Sequence, residues 1–112
     1  MSRIGWSSKL PSKVEMVEVG PRDGLQIVQE FVPTERKIEL IDALFASGIR
    51  RMEVTSFVHP KFVPQLKDAA EVLAGIEREG RVCMAMVPNM KGAERALESR
   101  VDMLDVIASA SE

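Results

Sequence analysis

The chain has 112 residues, 46% of them hydrophobic, and its 15 basic and 17 acidic side chains give a formal net charge of −2. This length predicts a single domain, and the hydrophobic content is typical of a globular protein. No basic block is present, which argues against a nucleic-acid partner. No apolar run approaches the ~20 residues that span a bilayer, which argues against a membrane protein.

One cysteine, Cys83, lies inside the apolar run Val82–Val87. A single cysteine excludes an internal disulfide and favours a reducing, cytoplasmic location. A buried strand thiol is a better interpretation than a nucleophile, because no neighbouring group would lower its pKa. Residues 1–13 form a polar N-terminal extension without the apolar core of a secretory signal.

Residues 14–112 alternate between strand and helix patterns. Apolar runs predict four strands, over Val14–Val19, Ile49–Thr55, Val82–Val87 and Val101–Ala108. Helical periodicity predicts three helices between them, over Thr34–Ser47, Val63–Arg78 and Met90–Ser99. Thr34 is the expected N-cap of the first helix and Gly48 its end. The solvent-facing side of that helix is predicted to carry Glu35, Lys37, Glu39 and Asp42.

The order βαβαβαβ implies an α/β fold with a parallel sheet of right-handed βαβ units. Periodicity alone fits both an open doubly wound sheet and part of a (β/α) barrel. No helix follows strand four, so the sheet would keep an open edge that invites pairing with another chain. We therefore expect an N-terminal piece of a longer protein, about half of a barrel domain, and we expect a homo-oligomer.

The segment Gly20-Pro21-Arg22-Asp23-Gly24-Leu25-Gln26 follows the first predicted strand directly. Ligands of parallel α/β folds bind at the carboxyl ends of the strands, which is where Arg22 and Asp23 are expected. A carboxylate is a hard ligand for Mg²⁺ or Mn²⁺. A guanidinium offers a fixed fork of donors to an oxyanion. The pair therefore suits chemistry on a carbonyl or thioester that passes through an enolate.

Glu53 lies within an apolar strand, where an ionisable group is costly unless it is paired or functional. One interpretation is an internal ion pair of Glu53 or Glu18 with Arg22. The other is that Glu18, Arg22, Asp23 and Glu53 converge into a polar site at the end of the sheet.

Two further polar residues follow predicted strands. His59 is more often a rim residue than a metal ligand when no second histidine or cysteine lies nearby. Asn89 fits a helix cap and a site residue equally well.

Several segments resemble the 3-hydroxy-3-methylglutaryl-CoA lyase family. The opening signature is Val17 to Gln26. The second strand and its loop are Glu53 to Val58, Pro60-Lys61 and Val63-Pro64-Gln65. Val87-Pro88-Asn89 and Ala110-Ser111-Glu112 also match. The Gly-Pro before Arg-Asp-Gly and the Leu-Gln after it distinguish this signature from that of related Claisen-type synthases.

The resemblance implies the first part of a (β/α)8 TIM barrel and a carbon–carbon lyase that depends on Mg²⁺ or Mn²⁺. Such an enzyme cleaves 3-hydroxy-3-methylglutaryl-CoA, an acyl-CoA thioester, to acetyl-CoA and acetoacetate in leucine degradation. By the same resemblance, Arg22 stabilises the enolate, Asp23 binds the metal and Glu53 is catalytic. Gln26, Ser56 and Asn89, with Arg22, bind the substrate.

The remaining metal ligands of the family and its mobile-loop cysteine lie in the later half of the barrel, outside these residues. We therefore predict that the isolated chain binds divalent metal weakly and does not cleave the thioester. Ile27-Val28-Gln29 and His59 depart from the family pattern, which leaves open a lyase for another branched 3-hydroxyglutaryl-CoA. A non-catalytic α/β module is the alternative from another class.

Overall fold

The computed structural model describes residues 9–110. Trp6 in the N-terminal extension and the matching Ser111-Glu112 lie outside these residues. The four strands are β1 (Val17–Glu18), β2 (Arg51–Ser56), β3 (Val82–Val87) and β4 (Met103–Val106). The helices are α1 (Thr34–Ala46), α2 (Ala69–Gly75) and α3 (Met90–Glu98), with a π-helical turn at Gly20–Gly24 and a 3₁₀ turn at Pro64–Leu66.

The strands form one parallel sheet in the order β1-β2-β3-β4. Strands that follow one another in sequence are therefore neighbours in space. A doubly wound sheet would reverse its strand order at a switch point, whereas a barrel adds strands in one direction. The observed order is that of the first part of a (β/α)8 barrel, as the family resemblance implied.

The helices cover one face of this sheet. On β3 the residues alternate, with Cys83, Ala85 and Val87 buried and Met84 and Met86 partly exposed. The buried set belongs to the core shared with α1, α2 and α3, whose other members are Ile41, Phe45, Met52, Val54, Phe57, Ala69, Val72, Leu73, Ile76 and Ala96. The opposite side is called the open face below. It carries Arg51, Glu53, Ser56, Met84, Met86, Met103 and Asp105 by strand register.

A β-bulge in β2 decides which of its side chains reach the open face. Glu53 pairs with Met84 and Ser56 with Met86, so one extra residue stands between them on β2. Register partners point to the same side of a sheet, and a bulge places two successive residues opposite one. Glu53 and Ser56 therefore share a face although three positions separate them.

The two edge strands are shorter than predicted. β1 comprises only Val17–Glu18, because it has a neighbour on one side alone and the chain enters the π-helical turn at Gly20. β4 begins at Met103 instead of Val101. Arg100 has a positive φ of 59°. Asp102 next accepts a hydrogen bond from the Cys83 backbone nitrogen at 2.8 Å, through its side chain. The Asp102 carboxylate thus accepts a hydrogen bond that a backbone carbonyl oxygen would accept in a regular strand ladder.

The second helix is also shorter than predicted, since a 3₁₀ turn precedes it and it ends at Gly75. A Cβ at Gly75 would lie 2.3 Å from Ile38 Cδ1, so α1 and α2 approach closely there. Ile76 then turns to extended backbone and enters the core. Ala69 takes the buried position at the start of this helix, and Ala70 is exposed.

Two expectations for the first helix were wrong. Thr34 does not cap it, since its hydroxyl donates to Asp68 Oδ2 at 2.7 Å. Lys37 is not on the wet side but 2% exposed. Its ammonium lies 2.6 Å from Asp68 Oδ1, donates to the Gln65 carbonyl oxygen and sits 4.3 Å from the ring centre of Phe31. These five residues are called the Lys37 cluster.

None of the helices within residues 9–110 has the length and apolar character needed to cross a membrane.

Candidate active site

The predicted turn after β1 is a π-helical turn that presents Arg22 and Asp23 at the end of the strand. The backbone nitrogens of Arg22 and Asp23 donate to the Val19 carbonyl oxygen at 3.1 and 2.8 Å. The Gly20 nitrogen donates to Glu18 Oε1 at 2.8 Å, and a Cβ at Gly20 would lie 2.9 Å from that oxygen. A side chain at Gly20 would therefore displace the carboxylate that holds the start of the turn.

Arg22 and Glu53 form an ion pair between the turn and β2. The Arg22 Nε donates to Glu53 Oε1, and the two side chains are 16% and 3% exposed. This contact agrees with both interpretations of the sequence, the internal ion pair and the polar site at the end of the sheet. Glu18 is not part of it, because its carboxylate is bonded to the Gly20 nitrogen and its register partner Met52 belongs to the core.

The pKa of Glu53 is raised from 4.5 in water to about 7, and burial is the largest cause. The neighbouring Asp105 also raises this pKa, whereas the hydrogen bond to Arg22 and its positive charge lower it. Asp105 stands on β4 beside Met86, on the same open face as Glu53. Sequence reasoning did not single out Asp105. The available signal was an acid inside an apolar strand, the same signal that identified Glu53.

Asp23 is the exposed acid of the site. Its side chain is 68% exposed, and its Oδ1 lies 3.3 Å from Arg22 Nη1. Exposure leaves carboxylate oxygens accessible for a metal ion. Within residues 9–110, however, no group of three or more histidine, cysteine or acidic side chains is placed to hold a metal ion. Asp23 is thus not part of a three-ligand cluster of these residue types within the described part of the chain.

The three predicted substrate-binding residues besides Arg22 differ in their surroundings. Ser56 is buried on the open face and its hydroxyl donates to the Met86 carbonyl oxygen at 3.2 Å. Gln26 follows the π-helical turn and is half-buried. Asn89 is exposed, and its side-chain oxygen accepts from the Gly92 nitrogen at 2.8 Å as the N-cap of α3. The helix-cap interpretation of Asn89 is therefore confirmed.

His59 and Cys83 lie apart from this group. His59 is exposed, its Nδ1 accepts from the Lys61 backbone nitrogen at 3.1 Å, and its ring packs edge-on against Phe62. It is a rim residue, as expected. Cys83 is buried, and burial raises the pKa of its thiol. A raised pKa disfavours the thiolate, which agrees with a structural role.

Residues 13–112 match the family model described as HMGL-like. A curated relative is the 3-hydroxy-3-isohexenylglutaryl-CoA/hydroxymethylglutaryl-CoA lyase of Pseudomonas aeruginosa, 53% identical over 104 residues. The match covers 92% of this chain and 35% of the relative. The chain thus spans about one third of the length of the curated relatives it matches.

Solved structures agree in fold. The chain superposes on the HMG-CoA lyase of Bacillus subtilis with a TM-score of 0.86 and 48% identity, over 91% of this chain and 35% of the other. It also superposes on an HMG-CoA lyase of Acinetobacter baumannii in complex with coenzyme A and 3-methylmalate, with a TM-score of 0.82 and 47% identity. That match covers 85% of this chain and 32% of the other.

Proposed function

Because the chain belongs to the HMGL-like family, we propose that it supplies the first four strands and one side of the active site of a 3-hydroxy-3-methylglutaryl-CoA lyase. The observation that carries this proposal is Arg22, fixed at a strand end by the buried Glu53. The reaction is retro-aldol cleavage to acetyl-CoA and acetoacetate.

In this proposal Arg22 stabilises the enolate of the leaving acetyl thioester. Its contacts within the described residues use Nε and Nη1, whereas a guanidinium carries five N–H donors. The Nη2 donors are thus left for an oxyanion. Because Glu53 holds Nε, the fork is oriented before the charge develops, which is the arrangement that lowers a barrier most.

Asp23 is proposed as one ligand of a divalent metal, Mg²⁺ or Mn²⁺. Its exposed carboxylate fits a hard cation, but the described residues place no cluster of three or more histidine, cysteine or acidic ligands around it. A bound divalent cation would favour ionisation of the substrate's 3-hydroxyl group. The isolated chain is accordingly proposed to bind divalent metal weakly and to show no turnover.

Gln26, Ser56 and Asn89 are proposed to contact the acyl-CoA substrate from the same end of the sheet. The acyl group itself has two candidates. The name of the Pseudomonas aeruginosa relative includes an isohexenylglutaryl substrate besides hydroxymethylglutaryl-CoA. The departures at Ile27-Val28-Gln29 and His59 support testing both. A cytoplasmic location and a homo-oligomer belong to the same proposal, the former supported by the unpaired, buried Cys83.

A chimera tests this function. Residues 13–112 of this chain replace the matched third of the Pseudomonas aeruginosa lyase, and acetoacetate release from both candidate thioesters is measured with Mg²⁺ or Mn²⁺. We expect turnover by the chimera and none by the isolated chain. Arg22→Met should lower kcat about 10²–10³-fold, the loss typical of one oxyanion donor.

Arg36→Met is the matched control, since Arg36 is a 72% exposed arginine on α1 that pairs with Glu39. It should leave turnover unchanged. A folded but inactive chimera, or wild-type turnover of the Arg22→Met chimera, would overturn the proposal. Turnover by the isolated chain would overturn its metal-ligand part.

A further inference from the structure

The segment between the π-helical turn and α1, residues 25–33, is held by a residue from a distant part of the chain. Gln65 lies in the 3₁₀ turn after β2, and its side-chain Nε2 donates to the Val28 carbonyl oxygen at 2.9 Å. This contact is partly buried and joins residues 37 positions apart. Val28 follows Gln26 by two residues and Asp23 by five. The contact therefore holds the segment that continues directly from the site turn.

The backbone of Gln65 is itself fixed from two sides. Its carbonyl oxygen accepts from Nζ of the buried Lys37. The next residue, Leu66, is a buried core side chain, and the preceding Pro64 has a restricted φ. The side-chain amide is thus presented to Val28 from a constrained backbone, which is the condition for one residue to position another.

The partner of Gln65 is a backbone atom, so the contact does not depend on the side chain at position 28. Every residue carries a backbone carbonyl oxygen. Ile27-Val28-Gln29 departs from the pattern of the lyase family, and the Ile27 side chain is exposed. Substitutions in this stretch can therefore change the side chains that the rim presents while the path of the backbone is kept.

We propose that Gln65 is a positioning residue of the candidate active site, which acts through the Val28 carbonyl oxygen to keep the π-helical turn in place. Within the turn, the Arg22 and Asp23 nitrogens donate to the Val19 carbonyl oxygen. These bonds fix the shape of the turn, whereas the Gln65 contact connects the segment after it to the loop after β2. The effect of Gln65 on catalysis rests on the proposed lyase function, but the contact does not.

NMR relaxation of the backbone ¹⁵N nuclei in the 112-residue chain distinguishes positioning from a general contribution to stability. In the unmodified chain, the Asp23 and Val28 amides should be rigid, with order parameters of about 0.85. Gln65→Met removes the donor and keeps an unbranched side chain of similar length. Both order parameters should then fall toward the flexible range, below about 0.6. The Val82 amide, which donates to the Arg50 carbonyl oxygen, should keep its value.

Gln29→Met is the matched control, because it removes the same kind of side chain from an exposed position in the same segment. It should leave the order parameters of Asp23 and Val28 unchanged. Gln65→Glu keeps the shape of the side chain and loses the donor at neutral pH, so it should mobilise the segment as Gln65→Met does. It supplies the test if Gln65→Met does not fold. Rigid Asp23 and Val28 amides in a folded Gln65 variant would overturn the proposal.

The chimera separates this proposal from the proposed function. In an active chimera, Gln65→Met should raise the Mn²⁺ concentration for half-maximal turnover about tenfold, because the proposed ligand Asp23 lies in the turn that loses its support. A variant that is merely less stable would lower kcat and leave this concentration unchanged. A mobilised turn together with an inactive chimera would keep Gln65 as a positioning residue and overturn the lyase. An active chimera with an unchanged Mn²⁺ requirement and unchanged order parameters would do the reverse.

Discussion

Two basic–acidic pairs in this chain are almost equally buried and yet differ in kind. In the Lys37 cluster, the ammonium of Lys37 meets Asp68, the Gln65 carbonyl and the Phe31 ring. Each polar group there has its partners, and none is left for a ligand. At the site, Arg22 keeps unused donors and its acid has a second acid, Asp105, as a neighbour. Burial alone does not distinguish a structural ion pair from one in a functional site. The number of hydrogen-bond donors that remain without a partner does.

The Lys37 cluster also explains how two rim loops are held. Gln65, whose carbonyl accepts from Lys37, donates its side-chain amide to the Val28 carbonyl oxygen at 2.9 Å. Val28 belongs to the loop after the π-helical turn, and Gln65 to the 3₁₀ turn after β2. The Lys37–Asp68 ion pair and its neighbours therefore connect the loop that follows β1 with the loop that follows β2.

The largest expected effect is at the closed pair. Lys37→Met would leave the Asp68 carboxylate buried without a counter-charge, which typically costs about 3–5 kcal/mol of stability. Urea unfolding at neutral pH measures the loss. Arg36→Met, on the adjacent exposed position, should change stability by less than about 0.5 kcal/mol. A loss at Lys37 as small as at Arg36 would contradict the assignment of this pair as structural.

A second expected effect is a pH dependence carried by Glu53. Its pKa of about 7 in the folded chain lies above 4.5, so the folded chain binds this proton more tightly than the unfolded chain. The resulting stabilisation is complete below about pH 4.5 and is lost as the pH rises through about 7, with an upper limit of roughly 3 kcal/mol.

The free energy of unfolding in urea is measured for the unmodified chain and for Glu53→Gln, at about pH 4.5 and about pH 8. The change with pH in the difference between the two proteins is the contribution of Glu53. The unmodified chain should lose stability relative to Glu53→Gln toward the higher pH. A difference that stays constant, or that changes in the opposite direction, would show that Glu53 is ionised at neutral pH.

The smallest expected effect is the loss of Arg22. In Arg22→Met, Glu53 loses a cation, its pKa rises further, and it remains neutral beside Asp105. We expect a stability loss of about 1 kcal/mol, the net value of a hydrogen bond. Urea unfolding at neutral pH compares this loss with that of Lys37→Met. Equal losses of stability would mean that the Arg22–Glu53 pair contributes to the fold as much as the Lys37–Asp68 pair does.

The sequence predicted the strands best where both neighbours are present. β3 has the predicted bounds, Val82–Val87, because it is paired on both sides and apolar along its whole length. The edge strands were predicted too long, since an apolar residue at an edge does not by itself secure a ladder partner. Lys37 was misplaced for another reason. Helical periodicity assigns a charged residue to solvent and cannot reveal a buried acid thirty-one positions away.

For the candidate site, the Arg22–Glu53 contact was one of those expected at the end of the sheet, with Glu18 as the alternative partner of Arg22. Asp105 was not expected there. Its approach to Glu53 depends on the register of three strands and on the bulge in β2, neither of which is encoded in local periodicity. The roles of these residues in a reaction are proposals that rest on the family and the geometry together.

The bulge in β2 has a consequence for comparing and engineering sequences of this kind. A regular strand repeats its facing every second residue, so Glu53 and Ser56 would point to opposite sides if β2 were regular. Straightening β2 without a deletion would therefore bring Thr55 to the open face in place of Ser56. A one-residue deletion between them would instead set Ser56 two positions from Glu53, and both would keep the open face in a regular ladder. Alignments that place a gap there, and designs that shorten β2, would therefore remove the bulge and keep the facing of Glu53 and Ser56.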